Sequence, residues 1–196
     1  MISSLNHRAK AIGNESRRVL RPLLLVVAIS WLIEIIDRLF FSGSLNNLGI
    51  IPRQLSGLRG ILFAPWLHGN FAHLLANTIP FILLGFLVMI RHPRHMVAIT
   101  MTIIVIGGLG TWLVAPSNTV HIGASGVVFG YFAFLLVNAW YERSLPSVLI
   151  AIVVIVIYGG LLAGIMPTSS GVSWQSHLFG LIGGAVAAAT FARRKG

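Results

Sequence analysis

His121-Ile122-Gly123-Ala124-Ser125-Gly126-Val127-Val128-Phe129-Gly130 sets a serine between glycines at the head of a long apolar run. A hydroxyl in the first turn of a membrane helix is costly unless something uses it. The flanking glycines allow a tight turn and leave the side chain accessible. A helix start also offers free backbone N–H groups and the positive end of the macrodipole, which together stabilise an oxyanion. The plainer reading is a small-residue helix start that serves only close helix packing. The rest of the chain has to decide between them.

Outward from this stretch the chain is apolar almost throughout. Of 196 residues, 56% are hydrophobic and 9% charged, and the mean hydropathy is +0.89. That is the composition of a polytopic all-α membrane protein, and one bundle uses up the length. The formal charge of +10 comes from 14 Lys and Arg against 4 Asp and Glu. In a membrane chain this excess reports topology and contact with the lipid bilayer, not nucleic-acid binding. The absence of cysteine excludes disulfides, thiolate metal sites and a cysteine nucleophile. The polar leader through Arg21 is long and the run after it is of spanning length, which argues against a cleavable signal peptide.

Six spans are expected: about Leu20 to Ile36, Ala72 to Ile90, Met96 to Ala115, Ser125 to Trp140, Val148 to Ile165 and Trp174 to Ala192. They form a membrane domain over 20–192, flanked by a basic tail at 1–19 and another at 193–196. The connection 37–71 is broken by Gly43, Gly49, Pro52, Gly57 and Gly60, yet its apolar and aromatic residues suit the membrane interface. Six spans put both termini on one side. The segments on that side hold eleven of the Lys and Arg residues, and the opposite segments hold only Arg38, Arg53 and Arg59. The positive-inside rule then gives N-in, C-in, with Ser125, the 37–71 connection and the start of the last span all facing outward.

Three polar sites converge on that outer side. His68 precedes the second span, and His73 and Asn77 share one of its faces at i, i+4. Ser125 opens the fourth span. His177, Gly180 and Gly184 fall on one face of the sixth, at i, i+3, i+7. Gly126 with Gly130 and Gly180 with Gly184 are GxxxG pairs, which let helix backbones approach closely. Such an approach brings a His177 imidazole within reach of Ser125, the geometry of a serine–base pair. Phe129, one turn below Ser125, would face the same ring. His68, His73 and Asn77 also suit a purely structural network. His121 is a rival base, but as a loop residue nothing in the sequence locks it. Glu34 has Arg38 four residues on and reads as an ion pair, so no acid is left for a triad and a Ser–His dyad is expected. HExxH is absent, and neither a metal site nor a cofactor is expected.

Taken together, His68…His73…Asn77, Gly123-Ala124-Ser125-Gly126 and His177-x-x-Gly180-x-x-x-Gly184 resemble the rhomboid family of intramembrane serine proteases, over about residues 20–192. The resemblance implies Ser125 as nucleophile and His177 as general base and acid. It also implies His68, Asn77 and the Ser125 N–H as oxyanion donors, with His73 in support. Two departures stand out: Phe129 replaces the family's usual tyrosine beneath the histidine, and the Trp-Arg pair of the first outer loop is absent, Leu58-Arg59 being nearest. The expected activity is cleavage of transmembrane protein substrates near the outer membrane face. A non-catalytic rhomboid-like binder of membrane proteins is the alternative. The sequence lacks organelle-targeting features, which suggests a bacterial inner membrane.

Overall fold

The computed structural model describes residues 20–167 and 171–192; the tails assigned to 1–19 and 193–196 lie outside these. The described residues are mainly helical, with one isolated β-bridge, Ile50–His121, and no β-strand. α1 covers residues 20–36 and loosens into a π-helical turn, Asp37–Phe41, which Ser42 stops in the left-handed region at φ 52°. There follow α2 (Gly60–Phe63), α3 (Phe71–Arg91), α4 (Met96–Val114), α5 (Ser125–Glu142), α6 (Leu145–Tyr158) and α7 (Trp174–Phe191). Three helices begin on a side-chain cap. Asn70, Ser144 and Ser173 accept from the backbone N–H groups of His73, Ser147 and Ser176, each satisfying a donor that the first turn leaves free.

Three helical stretches are long and apolar enough to cross a membrane: Phe71–Arg91, Met96–Val114 and Leu145–Ile165. The chain is a multi-pass membrane protein. α5 differs because it is the central helix: every residue from Val127 to Leu135 is buried. A helix covered by neighbours is chosen for shape and not for lipid contact, which accounts for its glycines, its aromatics and Tyr131, whose hydroxyl meets Thr100 Oγ1 at 2.8 Å. α7 packs on α5 and α4. α6 is peripheral and buries only Ser147, Ala151 and Val154, one narrow stripe, while Ile152, Val153, Val156 and Ile157 face outward.

Two segments differ in detail from the expected pattern. The 37–71 connection is a string of short helical turns: 3₁₀ turns at Ser44–Leu48, Leu55–Arg59 and Ala64–Trp66, with α2 among them. It is stitched to the end of α4, where Arg53 N–H donates to the Trp112 carbonyl at 3.1 Å and Trp112 Nε1 to the Gln54 carbonyl at 2.9 Å. The apolar helical stretch expected to end near Ile165 does reach it, but not as an α-helix throughout. It tightens into a 3₁₀ helix over Gly159–Ile165, beginning at a glycine pair that favours no helix strongly.

Two clusters of charged and polar side chains at the ends of the helices are paired. Arg38 pairs with Glu34 at 2.9 Å and also donates to the Gly69 carbonyl, tying α1 to the turn before α3. At the opposite end Arg91, Glu142 and Ser147 bond to one another and join α3, α5 and α6. An apolar cavity of about 230 Å³ lies between α1, α3, α4 and α5. His68 and Asn77 line it near the start of α3, and Ser125 and His177 do not line it.

Candidate active site

Ser125 is the first residue of α5, and His177 lies in the first turn of α7. What brings them together is the contact between the two helices. A Cβ at Gly180 would overlap the Gly126 carbonyl oxygen, and one at Gly184 would overlap the Gly130 carbonyl oxygen. Backbone therefore rests on backbone at both levels, one turn apart. On this seat His177 Nε2 lies 2.9 Å from Ser125 Oγ. The other ring nitrogen, Nδ1, lies 2.9 Å from the Gly164 carbonyl oxygen. A carbonyl can only accept, so Nδ1 carries the proton and Nε2 presents its lone pair to the serine hydroxyl. Phe129 stacks on the imidazole with centroids 4.0 Å apart and 8° between the planes. Gly164 is a site residue that sequence reasoning missed. Its only trace is the run Gly159-Gly160-Leu161-Leu162-Ala163-Gly164 before Pro167, which marks an irregular turn without saying where it points.

The two histidines of the α3 entry occupy different positions. His68 is 1% exposed, and its Nε2 accepts from the Ala124 N–H at 3.4 Å. Its Nδ1 is buried without a hydrogen-bond partner of ordinary geometry among the described residues. His73 is half-buried at the mouth of the site: a Cβ on Gly123 would lie 2.9 Å from His73 Nε2. Gly123 takes φ +112°, so glycine is needed there for both conformation and space. His73 Nδ1 accepts from the Gly69 N–H at 3.4 Å, which leaves the ring proton on Nε2. Asn77 is buried and donates one of its two amide protons to the His73 carbonyl at 2.9 Å. The rings of His68 and His73 meet edge to face at 5.1 Å.

Burial, and then the nearby charge of His73, lower the His68 pKa from 6.5 to about 4, with the Trp66 carbonyl acting weakly in the other direction. The folded-state value is below the unfolded one. The contribution of His68 to stability is therefore full above pH 6.5 and declines as the pH falls toward 4. Melting temperatures in detergent should drop between pH 7 and pH 5, and His68→Gln, which cannot titrate, should show a smaller drop. An identical drop in the variant would place the acid sensitivity elsewhere.

His121 is not the loose loop residue its position suggests. Its backbone exchanges two hydrogen bonds with Ile50, at 3.0 and 2.9 Å. Its ring nitrogens meet Ser173 Oγ at 2.6 Å and Thr119 Oγ1 at 2.7 Å. With both nitrogens engaged away from Ser125, it is not placed to take the serine proton. Among the described residues no group of three or more His, Cys, Asp or Glu side chains is arranged to hold a metal ion.

The arrangement thus pairs a hydroxyl with an oriented imidazole at the head of a buried helix, near a histidine and an asparagine of α3. Comparison with known proteins points the same way. The Rhomboid domain profile matches residues 55–194. An uncharacterized protein of Mycobacterium tuberculosis is 47% identical over 175 residues, covering 85% of this chain and 72% of the relative. An uncharacterized protein of Mycobacterium leprae is 42% identical over 174 residues, covering 85% and 68%. A Bacillus subtilis protein, named as a candidate rhomboid protease, is 27% identical over 175 residues, covering 83% and 82%. The profile takes in α3 to α7 and every residue of the constellation described above, and on that ground this chain belongs to the rhomboid family.

Proposed function

We propose that the chain is an intramembrane serine endopeptidase that cleaves transmembrane protein substrates near the outer membrane face. The observation that carries this reading is the 2.9 Å contact of His177 Nε2 with Ser125 Oγ while Nδ1 is held by the Gly164 carbonyl. In the proposed reaction His177 takes the hydroxyl proton as Ser125 attacks the scissile carbonyl. It then gives that proton to the leaving amine, and a water repeats the sequence on the acyl-enzyme. Gly164 does for the imidazole what a carboxylate does in a triad: it selects the tautomer and orients the ring, though without a compensating charge. Phe129 keeps the ring in plane by stacking alone.

For the oxyanion, the hydrogen bonds favour His73 over His68 as the side-chain donor. His73 has its proton on Nε2 facing Gly123, whereas His68 spends Nε2 on the Ala124 N–H. His68 then supports the turn that leads into Ser125. Asn77, with one amide proton to spare, and the Ser125 N–H complete the set. Losing one such donor costs on the order of 10²–10³ in rate. His73→Ala and Asn77→Ala should lower kcat by about that factor with little change in KM, and His68→Gln should cost less. A change confined to KM in Asn77→Ala would make it a substrate-binding residue.

The topology that goes with this reading has α1 and α3 to α7 as six spans with both termini inside. The site then opens outward, where water reaches it. Relatives in mycobacteria support placing it in a bacterial cell membrane. A serine-directed fluorophosphonate probe applied to the purified protein should label Ser125, and a model transmembrane substrate should be cut. Absence of both would return the chain to a non-catalytic binder of membrane proteins.

A further inference from the structure

The glycine seat fixes α7 against α5 below the Ser125–His177 pair, but it does not reach the outermost turn of α7. A second connection does. Ser173 caps α7, and its backbone carbonyl accepts the His177 N–H at 3.3 Å, so the placement of Ser173 sets the turn that carries His177. His121 Nδ1 lies 2.6 Å from Ser173 Oγ. Ser173 Oγ in turn lies 2.7 Å from Ser176 Oγ, and that oxygen lies 3.1 Å from Thr111 Oγ1 on α4. His121 itself is anchored by Thr119 and by its two backbone bonds to Ile50, four residues ahead of Ser125. Burial lowers the His121 pKa below its usual 6.5, so at neutral pH the ring offers one donor and one acceptor. A ring of that kind passes a run of hydrogen bonds through in a single direction, whichever tautomer it takes.

We propose that His121 is a positioning residue: through Ser173 it ties the first turn of α7 to the loop that enters α5, and so sets the reach of His177 to Ser125. The two helices are then held on both sides of the reacting pair, by backbone contact on one side and by the His121–Ser173 bond on the other. The inference rests on the proteolytic reading of the same site. It concerns a residue that neither touches substrate nor exchanges its proton. Hydroxyl and imidazole suit this place together because each can both donate and accept a hydrogen bond.

The test is steady-state cleavage of a model transmembrane substrate, with fluorophosphonate labelling rates measured alongside and all assays run below the melting temperature of each variant. A misplacement of about 1 Å can cost 10²-fold in rate. His121→Ala and Ser173→Ala are each expected to lower kcat by about 10- to 100-fold with KM little changed, and to slow labelling in parallel. The double variant should be no slower than the worse single variant, because both remove one connection. Ser173→Thr, which keeps the cap and the hydroxyl, should recover most of the rate, a rescue that a general loss of stability would not predict. Unchanged kcat in His121→Ala, multiplicative losses in the double variant, or no rescue by Ser173→Thr would each overturn the proposal. A wild-type protein that neither labels nor cleaves would instead overturn the proteolytic reading on which it rests.

Discussion

Ser125→Ala should abolish cleavage while leaving the protein folded. Among the described residues the hydroxyl bonds to His177 Nε2, at 2.9 Å. Its removal leaves that nitrogen without a protein partner, at a cost of about 1 kcal/mol. The chemical cost is of another order, because residues acting as one unit fail together. In a soluble serine protease, loss of the nucleophile or the base alone costs about 10⁶ in kcat, nearly as much as losing all. His177→Ala should therefore match Ser125→Ala, and the double variant should be no worse than either. Cleavage of a model transmembrane substrate by purified protein, with melting followed in parallel, checks this. Turnover that survives in Ser125→Ala would remove Ser125 from the reaction.

Gly184→Val should lose activity and thermal stability together. Two effects oppose each other at this position. Replacing an interior glycine favours the helix, by about 0.8–1.0 kcal/mol for alanine and less for a β-branched residue. Against this, any Cβ here overlaps the Gly130 carbonyl oxygen, which is backbone and cannot turn aside. Overpacking of that kind costs about 1–3 kcal/mol. The steric effect wins, and relief comes only by moving α7 away from α5, which takes His177 with it. Gly180→Ala meets the Gly126 carbonyl in the same way but should be milder, the added group being smaller. Gly160→Ala is the control, since nothing lies within 4 Å of a Cβ there, and it should be tolerated. Full activity in Gly184→Val would mean that α7 can withdraw without disturbing the pair.

The helices were legible because lipid imposes one rule on every residue of a span, and an apolar run of sufficient length obeys it anywhere in the chain. The Ser125–His177 pairing was legible for a related reason. Glycines at i, i+4 on two helices, each beside a polar group, have few uses other than close approach. What could not be read was whatever depends on how separate segments meet. Spacing alone does not say which of His68 and His73 is buried under the loop and which stands at the mouth. His121 looked unattached because two of its three partners, Ile50 on its backbone and Ser173 on its ring, lie far from it along the chain. The break at Gly159 was visible only as a glycine pair inside an otherwise apolar run.

Gly164 has a consequence for how this site can be studied and how it can drift. The group that orients the His177 ring is a main-chain oxygen, and every amino acid carries one. A mutational scan would accordingly uncover two indispensable residues where a triad yields three, and would report the third function as absent. The gene can alter it only indirectly, by changing the path of the 3₁₀ turn or by crowding it: a Cβ at Gly164 would come within 2.9 Å of Phe129 and 3.0 Å of His177 Nδ1. Exchange of the amide for an ester at this turn, which weakens the carbonyl as an acceptor without touching a side chain, is the substitution that would expose it.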